Sequence, residues 1–101
     1  LTWARRDARR FPVRLGSLSI NEVTTLHLPA ETFIEYQIHA REVDPARFLA
    51  VAAYGDGGPW YIPLQRSYAE GGYEPSVSFV SPTTEKRYKE VITRTILDSA
   101  L

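Results

Sequence analysis

The alternation of apolar and polar positions predicts two strands in the first third of the chain. Residues 11–20, FPVRLGSLSI, alternate in the manner of a strand, and residues 23–28, VTTLHL, are β-branched and apolar before Pro29 ends the run. Asn21 and Glu22 between them are suited to a tight turn, although Asn-Glu is a weaker turn signal than Asn-Gly. The pattern therefore predicts an N-terminal β-hairpin.

A helix and a buried strand follow. Residues 30–43 carry apolar side chains at helical spacing, with Phe33, Ile34 and Ile38 near one face, and Asp44-Pro45 ends the helix because proline disfavours the helical conformation in the residue before it. FLAVAAY, residues 48–54, is continuously apolar, as is typical of a strand buried on both faces. Strand, helix and buried strand in this order predict a βαβ unit with parallel strands.

Shorter elements complete the predicted architecture. Thr2 to Arg10 is compatible with a short helix, and residues 77–80, VSFV, with a short strand. Ser81-Pro82 is a good helix start, and an apolar stripe that includes Tyr88, Ile92 and Ile96 continues the helix towards the C-terminus. The prediction is a mixed α/β fold forming a single domain over residues 1–101.

Composition narrows the classes of function. The twelve basic and twelve acidic residues cancel, so no overall field favours nucleic acid, and the arginines at positions 5, 6, 9 and 10 fit a solvated helix face better than a phosphate-binding patch. Cysteine is absent, which excludes disulfides and thiolate zinc sites, and no apolar run approaches the roughly 20 residues of a membrane span. Methionine is absent too, so we expect the chain to have been processed or cut from a longer one.

The segment between the buried strand and the C-terminal helix, AAYGDGGPWYIPLQRSYAEGGYEPS, has an unusual composition. Residues 52–76 hold five of the six glycines and four of the six tyrosines. Glycine permits tight turns and close backbone approach, whereas tyrosine supplies a rigid ring with a polar tip that needs a partner. The composition predicts an ordered, aromatic-lined loop.

Two strand exits bring candidate functional residues together. Ligands bind outside the carboxyl ends of the strands in open α/β sheets, and here those ends lead into Glu31 and into Asp56, Trp60 and Tyr61. We place Glu31 in the first turn of the helix over residues 30–43, where the helix dipole favours a carboxylate. Each residue also has a structural interpretation: Glu31 as a capping charge, Asp56 as a turn residue and the tyrosines as packed rings.

The motifs, taken in order, resemble one family. Residues 28–33, LPAETF, are followed by an apolar strand ending Ala53-Tyr54-Gly55, and then by the tyrosines of the loop with Glu74 directly after the last one. This arrangement resembles the neutral/alkaline ceramidases, and within them bacterial ceramidase-like proteins. The resemblance covers residues 12–98 and corresponds to the last part of the large catalytic domain. The chain is therefore expected to be the C-terminal segment of such a domain.

The resemblance implies a zinc site. The family's enzymes are zinc amidases that cleave the N-acyl bond of ceramide with a zinc-bound water, and their motifs correspond to Glu31 and Tyr61 as metal ligands and to Tyr73 as the catalytic tyrosine that assists at the substrate carbonyl. Asp56, Trp60 and Tyr68 are then expected to bind substrate. The remaining ligands are histidines that lie far upstream in the family, so the upstream part of the domain is an expected partner and the isolated chain is expected to be inactive.

The chain also departs from the family. Residues 62–68, IPLQRSY, replace a Thr-Thr-Pro-Glu-Glu-Tyr type run, and Asp56-Gly57-Gly58 replaces an Asn-Ala-Tyr type segment. These differences leave the substrate open between a lipid and another N-acyl amide. Secretion or a periplasmic location is what the family implies. The alternative function is a non-enzymatic module, in which Trp60 and the tyrosines form a platform for a sugar, lipid or peptide.

Overall fold

A computed structural model describes residues 12–55 and 58–99, which form five strands and four helices. The predicted helix over Thr2–Arg10 lies outside the described residues. The strands are β1 (Gly16–Ile20), β2 (Val23–Pro29), β3 (Glu31–Thr32), β4 (Phe48–Gly55) and β5 (Tyr61–Ile62). The helices are α1 (Ile34–Val43), α2 (Ser67–Glu70), α3 (Tyr73–Ser76) and α4 (Thr84–Asp98). The mixed α/β fold is confirmed.

The predicted hairpin and βαβ unit are both present. Strands β1 and β2 pair antiparallel around Asn21-Glu22, and Asn21 has φ 55°, the left-handed conformation that tight hairpin turns require. Strand β2 pairs in parallel with β4, and α1 forms the connection between them. The result is a three-stranded sheet in the order β1-β2-β4, beside a two-stranded parallel sheet of β3 and β5.

The core lies between one face of the three-stranded sheet and the helices α1 and α4. Alternate residues of β2, Leu26 and Leu28, are fully buried, and the predicted stripe of α4 buries Tyr88, Ile92 and Ile96. Apolar burial on one face of a sheet and on one stripe of a helix is the usual way in which such layers are stabilised. In the described residues, no helix is long and apolar enough to cross a bilayer.

The helix after β2 differs from the prediction. It begins at Ile34, and Glu31 lies in β3 instead of in the first helical turn, because the backbone of residues 31–32 pairs with residues 61–62. The predicted apolar face is confirmed only in part, because Phe33 packs against the core but Ile34 and Ile38 do not. Tyr36 and Ala40 are the buried positions of α1, whereas Ile34 and Ile38 are exposed.

Two strand predictions need correction as well. Strand β4 forms where it was expected, but it is the edge of the sheet, and Leu49 is its one buried residue. The short strand predicted over residues 77–80 is absent from the structure. There the Ser78 hydroxyl bonds to the backbone of Tyr61 and Val80, so side-chain bonds take the place of a strand ladder.

Candidate functional site

The pairing of β3 with β5 places Glu31 beside Tyr61. The two residues are direct partners in the parallel register, and the Glu31 amide donates a 2.7 Å hydrogen bond to the Trp60 carbonyl. Directly paired residues project from the same face of a sheet, about 5 Å apart at their β-carbons. The structure therefore brings together a carboxylate and a phenol that are thirty positions apart in the sequence.

A second tyrosine reaches the same carboxylate. The Tyr54 hydroxyl donates a 3.1 Å hydrogen bond to Glu31 Oε1, and this bond, with the charge of Glu31, raises the pKa of Tyr54 above its ordinary value. Partial desolvation raises the pKa of Tyr61, and the charge of Glu31 raises it further. The raised pKa values hold both phenols in the neutral, hydrogen-donating form at neutral pH.

Tyr73 lies next to Tyr61. Their rings meet edge to face with centroids 5.8 Å apart, and the proximity of Tyr73 adds to the raised pKa of Tyr61. Tyr73 begins the short helix α3, and its side chain is largely exposed. Glu31, Tyr61 and Tyr73, the three residues expected to act on metal and substrate carbonyl, therefore occupy one neighbourhood of the fold.

Backbone strain concentrates around Glu31. Of the four non-glycine residues with positive φ in the described part of the chain, three adjoin the carboxylate: Ala30 at 72°, Tyr54 at 62° and Trp60 at 57°. Each such conformation costs on the order of 1–3 kcal/mol and persists where the surroundings enforce it, commonly at functional sites. The strain supports a functional interpretation of this region that is independent of the family resemblance.

One glycine makes the close approach possible. Gly58 has φ 125°, and a β-carbon added there would lie 2.8 Å from the Ala30 amide nitrogen. A side chain at this position would thus be strained and would collide with backbone. The expectation that glycine lets the loop lie close to the site holds at Gly58.

The predicted substrate-binding residues have different environments. Trp60 lines a cleft of about 290 Å³ with Glu31, Tyr54 and Gly58, and its ring packs edge to face on Phe79 at 5.7 Å. Asp56 lies outside the described residues. Tyr68 donates a 2.8 Å hydrogen bond to the Val80 carbonyl, so its hydroxyl is held inside the loop, and substrate binding by Tyr68 stays a prediction.

Two supporting residues had no recognised signal in the sequence. Ser78 donates 3.0 Å to the Tyr61 carbonyl and lies 3.1 Å from the Tyr68 hydroxyl, which ties the backbone of β5 to the end of the loop. Tyr54 is the last residue but one of β4, and the rule that ligands bind at strand exits would have included its position. Ser78 has no comparable pattern, because its role depends on long-range packing.

The segments that carry Glu31 and Tyr61 are anchored from beneath by buried tyrosines. Tyr88 of α4 donates 2.9 Å to the Pro29 carbonyl, and Tyr36 of α1 donates 2.9 Å to the Pro63 carbonyl. The two rings pack edge to face at 5.1 Å, and burial raises the pKa of both phenols. The helices thereby fix the positions of β3 and β5 relative to the core.

Within the described residues, no complete metal site is formed. Carboxylate oxygen is a common zinc ligand, and the Glu31 carboxylate with the adjacent Tyr61 phenol is chemically suited to a cation. Catalytic zinc usually takes three protein ligands, and within residues 12–55 and 58–99 no three His, Cys, Asp or Glu side chains come together. His39 bonds to Thr93 and His27 to Thr25, so both imidazoles have hydrogen-bond partners outside this cluster. A complete site needs donors from elsewhere.

Comparison with known proteins identifies the fold. No family model matches the chain, and no curated protein matches it in sequence. Among solved structures, the chain has the fold of a segment of the ceramidases. Neutral ceramidase from Pseudomonas aeruginosa matches with a TM-score of 0.69 at 19% identity, and a ceramidase complexed with C2 matches with 0.70 at 18% identity.

The match is partial in length. In both cases it covers 82% of this chain and 14% of the solved chain. At such identity the likeness shows a shared fold, and it confirms at that level the ceramidase-like resemblance predicted from the motifs. The chain thus has the fold of a small part of a much larger protein.

Proposed function

We propose that this chain is the C-terminal segment of the catalytic domain of a zinc-dependent, ceramidase-like hydrolase that cleaves an N-acyl amide. The observation that carries the proposal is the meeting of Glu31, Tyr61 and Tyr73 in a segment with the ceramidase fold. The motif resemblance assigns metal and carbonyl chemistry to these three positions. The solved ceramidases are far longer, so the activity belongs to the whole polypeptide.

In this proposal Glu31 and Tyr61 hold the metal together with histidines from the rest of the domain. Bound zinc supplies a Lewis acid and lowers the pKa of a coordinated water towards about 7. The Tyr54 hydroxyl orients the Glu31 carboxylate by its 3.1 Å hydrogen bond, as outer-shell partners of metal ligands commonly do. The Tyr73 hydroxyl donates a hydrogen bond to the substrate carbonyl oxygen, where negative charge develops.

The proposed substrate is a lipid or another N-acyl amide that enters the cleft beside Trp60. The cleft is small, and Trp60, whose ring packs on Phe79, lines it with aromatic surface suited to an acyl chain or an apolar head. Export of the parent protein to the periplasm or outside remains a prediction from the family. The 101-residue chain alone is expected to hold no stoichiometric zinc and to be inactive.

Substitution of Glu31 in the full-length polypeptide tests the proposal. Glu31→Gln keeps the shape of the side chain but removes its charge, so we expect loss of zinc and of N-acyl amide hydrolysis with the fold retained. Glu22→Gln, in the exposed hairpin turn, is the matched control and should leave both unchanged. Metal analysis, circular dichroism and hydrolysis of a short-chain ceramide are the readouts. Normal zinc content in Glu31→Gln would refute the assignment of Glu31 as a ligand.

The exposed aromatic surface also supports a second candidate, a non-enzymatic binding module. Trp60, Tyr73 and Phe79 are all exposed, and such surfaces bind sugars, lipids or peptides. In that case Trp60→Ala abolishes ligand binding, whereas Glu31→Gln leaves both metal content and binding as in the wild type. Glu31→Gln and Trp60→Ala together therefore separate the two functions.

A further inference from the structure

The three-stranded sheet has one face that the described helices leave uncovered. We call it the open face. It consists of three rows of paired residues: Ile20, Val23 and Phe48; Leu18, Thr25 and Ala50; Gly16, His27 and Ala52. The opposite face, with Thr24, Leu26 and Leu49, packs into the core.

The open face is apolar where solvent exposure would favour polar residues. Phe48 is 68% exposed, Ile20 63% and Leu18 55%, and none of the nine residues is Asp, Glu, Lys or Arg. A sheet with one solvated face normally alternates apolar and polar side chains. Two polar residues, Thr25 and His27, lie in the middle strand, and the exposed apolar residues around them are of the kind that marks an interaction site.

The outer edge of β4 gives independent support. This strand has eight residues, FLAVAAYG, without a charge or proline, and among the described residues its outer side has no strand partner. Proteins usually protect exposed edges with charges, prolines or short strands. The sequence of β4 is that of an interior strand, which is why burial on both faces was the expectation from its pattern.

We propose that the remainder of the larger polypeptide covers the open face with an apolar layer and adds a strand to the outer edge of β4. The inference rests on the proposed function in one respect, that the chain is a segment of a longer catalytic domain. The matched ceramidase chains support this occupant, because this fold makes up 14% of each of them. In those proteins most of the chain lies outside the matched segment.

Continuity with the candidate site supports the same occupant. The third row of the open face ends beside Gly55, where an added β-carbon would meet the His27 β-carbon at 3.4 Å. Gly55 follows Tyr54, which bonds to Glu31. A layer laid over the open face therefore reaches the edge of the cluster of Glu31 and Tyr61, and one docking event would cover this face and bring the remaining metal donors to the site.

Hydrogen exchange on the full-length polypeptide tests the proposal without any substitution. Alternate amides of an edge strand point away from the sheet and exchange readily, whereas both sets are protected in an interior strand. We expect protection of the whole of residues 48–54 at every protein concentration. Free exchange of alternate amides would overturn the proposal, as would a native polypeptide no longer than this chain. Protection that appears only with dimerisation would assign the face to a second copy and overturn it too.

A pair of lysine substitutions provides a second readout. Phe48→Lys places a charge in the proposed interface and should lower the Tm of the full-length protein. Leu97→Lys, at a comparably exposed apolar position on α4, should leave the Tm unchanged. Equal Tm values for the two variants would overturn the proposal. Zinc analysis separates this inference from the proposed function: a protected β4 without zinc refutes the hydrolase alone, whereas zinc with an exposed β4 refutes the docking alone.

Discussion

Removal of the Tyr88 hydroxyl tests how the core holds the site. Tyr88→Phe keeps the ring and its 5.1 Å contact with Tyr36, and it deletes the 2.9 Å hydrogen bond to the Pro29 carbonyl. Pro29 is buried and lies two residues before Glu31. The substitution therefore removes the donor that serves the Pro29 carbonyl, in the segment that carries Glu31, and changes little else.

The expected cost follows from burial. Loss of a buried donor that leaves its acceptor without that partner costs about 1–3 kcal/mol of the free energy of unfolding. We expect a value in this range, because Tyr88 is 6% exposed and water has little access to the vacated position. An exposed hydroxyl should cost close to nothing, and Tyr73→Phe, at a largely exposed ring, is the matched control.

The same substitution changes the dependence of stability on pH. Burial raises the pKa of Tyr88 in the folded state above the value of about 10 that it has when unfolded. Its contribution is therefore full below pH 10 and is lost as the pH rises through the folded pKa. The advantage of wild type over Tyr88→Phe should be constant between neutral pH and about pH 9 and should shrink in more alkaline solution.

Urea unfolding at a series of pH values measures both effects. The free energy of unfolding comes from the linear dependence on urea, and an unchanged slope indicates an unchanged fold. Equal stability of Tyr88→Phe and Tyr73→Phe at pH 7 would refute the role of the buried hydroxyl. A stability difference that grows above pH 10 would refute the sign of the pKa shift.

Two further predictions concern the loop. Gly58→Ala should destabilise the protein by about 1–3 kcal/mol in thermal unfolding, through its positive φ and the clash with Ala30. Gly71→Ala, which has a positive φ but open space around it, is the control, and equal effects would contradict the close approach. Ser78→Ala removes the hydrogen bond to the Tyr61 carbonyl, so it should loosen β5 and lower the raised pKa of Tyr61 towards its ordinary value. A spectroscopic tyrosine titration measures this change, and Ser76→Ala is the control that should leave the titration unchanged. An unchanged titration of Ser78→Ala would show that Ser78 does not position Tyr61.

Elements that depend on local sequence patterns were predicted correctly, whereas those that depend on contacts between residues far apart in the sequence were not. The hairpin, β4 and the stripe of α4 follow from periodicities a few residues long, and all three are present. Glu31 was wrongly placed in a helix because its conformation is determined by pairing with Tyr61, thirty residues away. Similarly, residues 77–80 have strand-like side chains, but Ser78 bonds to a distant backbone carbonyl.

The candidate site shows the same division. The convergence of Glu31, Trp60 and Tyr61 was predictable, because parallel strands end at one edge of a sheet. The bond from Tyr54 to Glu31 was not recognised, since it depends on the left-handed turn at Tyr54, which no local pattern indicates. The solvent exposure of β4 was not predictable from its own residues, which are those of an interior strand, because exposure depends on which other segments pack against the strand.

The two-residue pairing of β3 with β5 couples ligand binding at the site to the local order of these strands. So short a ladder contributes little free energy of its own, and its order depends on the buried Ile62 and on the hydrogen bonds from Tyr36 and Tyr88 to the flanking backbone. Any ligand that contacts Glu31 and Tyr61 together binds the closed pairing alone, and its binding energy adds by mass action to the stability of that pairing. Occupancy of the site by such a ligand therefore increases together with the order of β3 and β5.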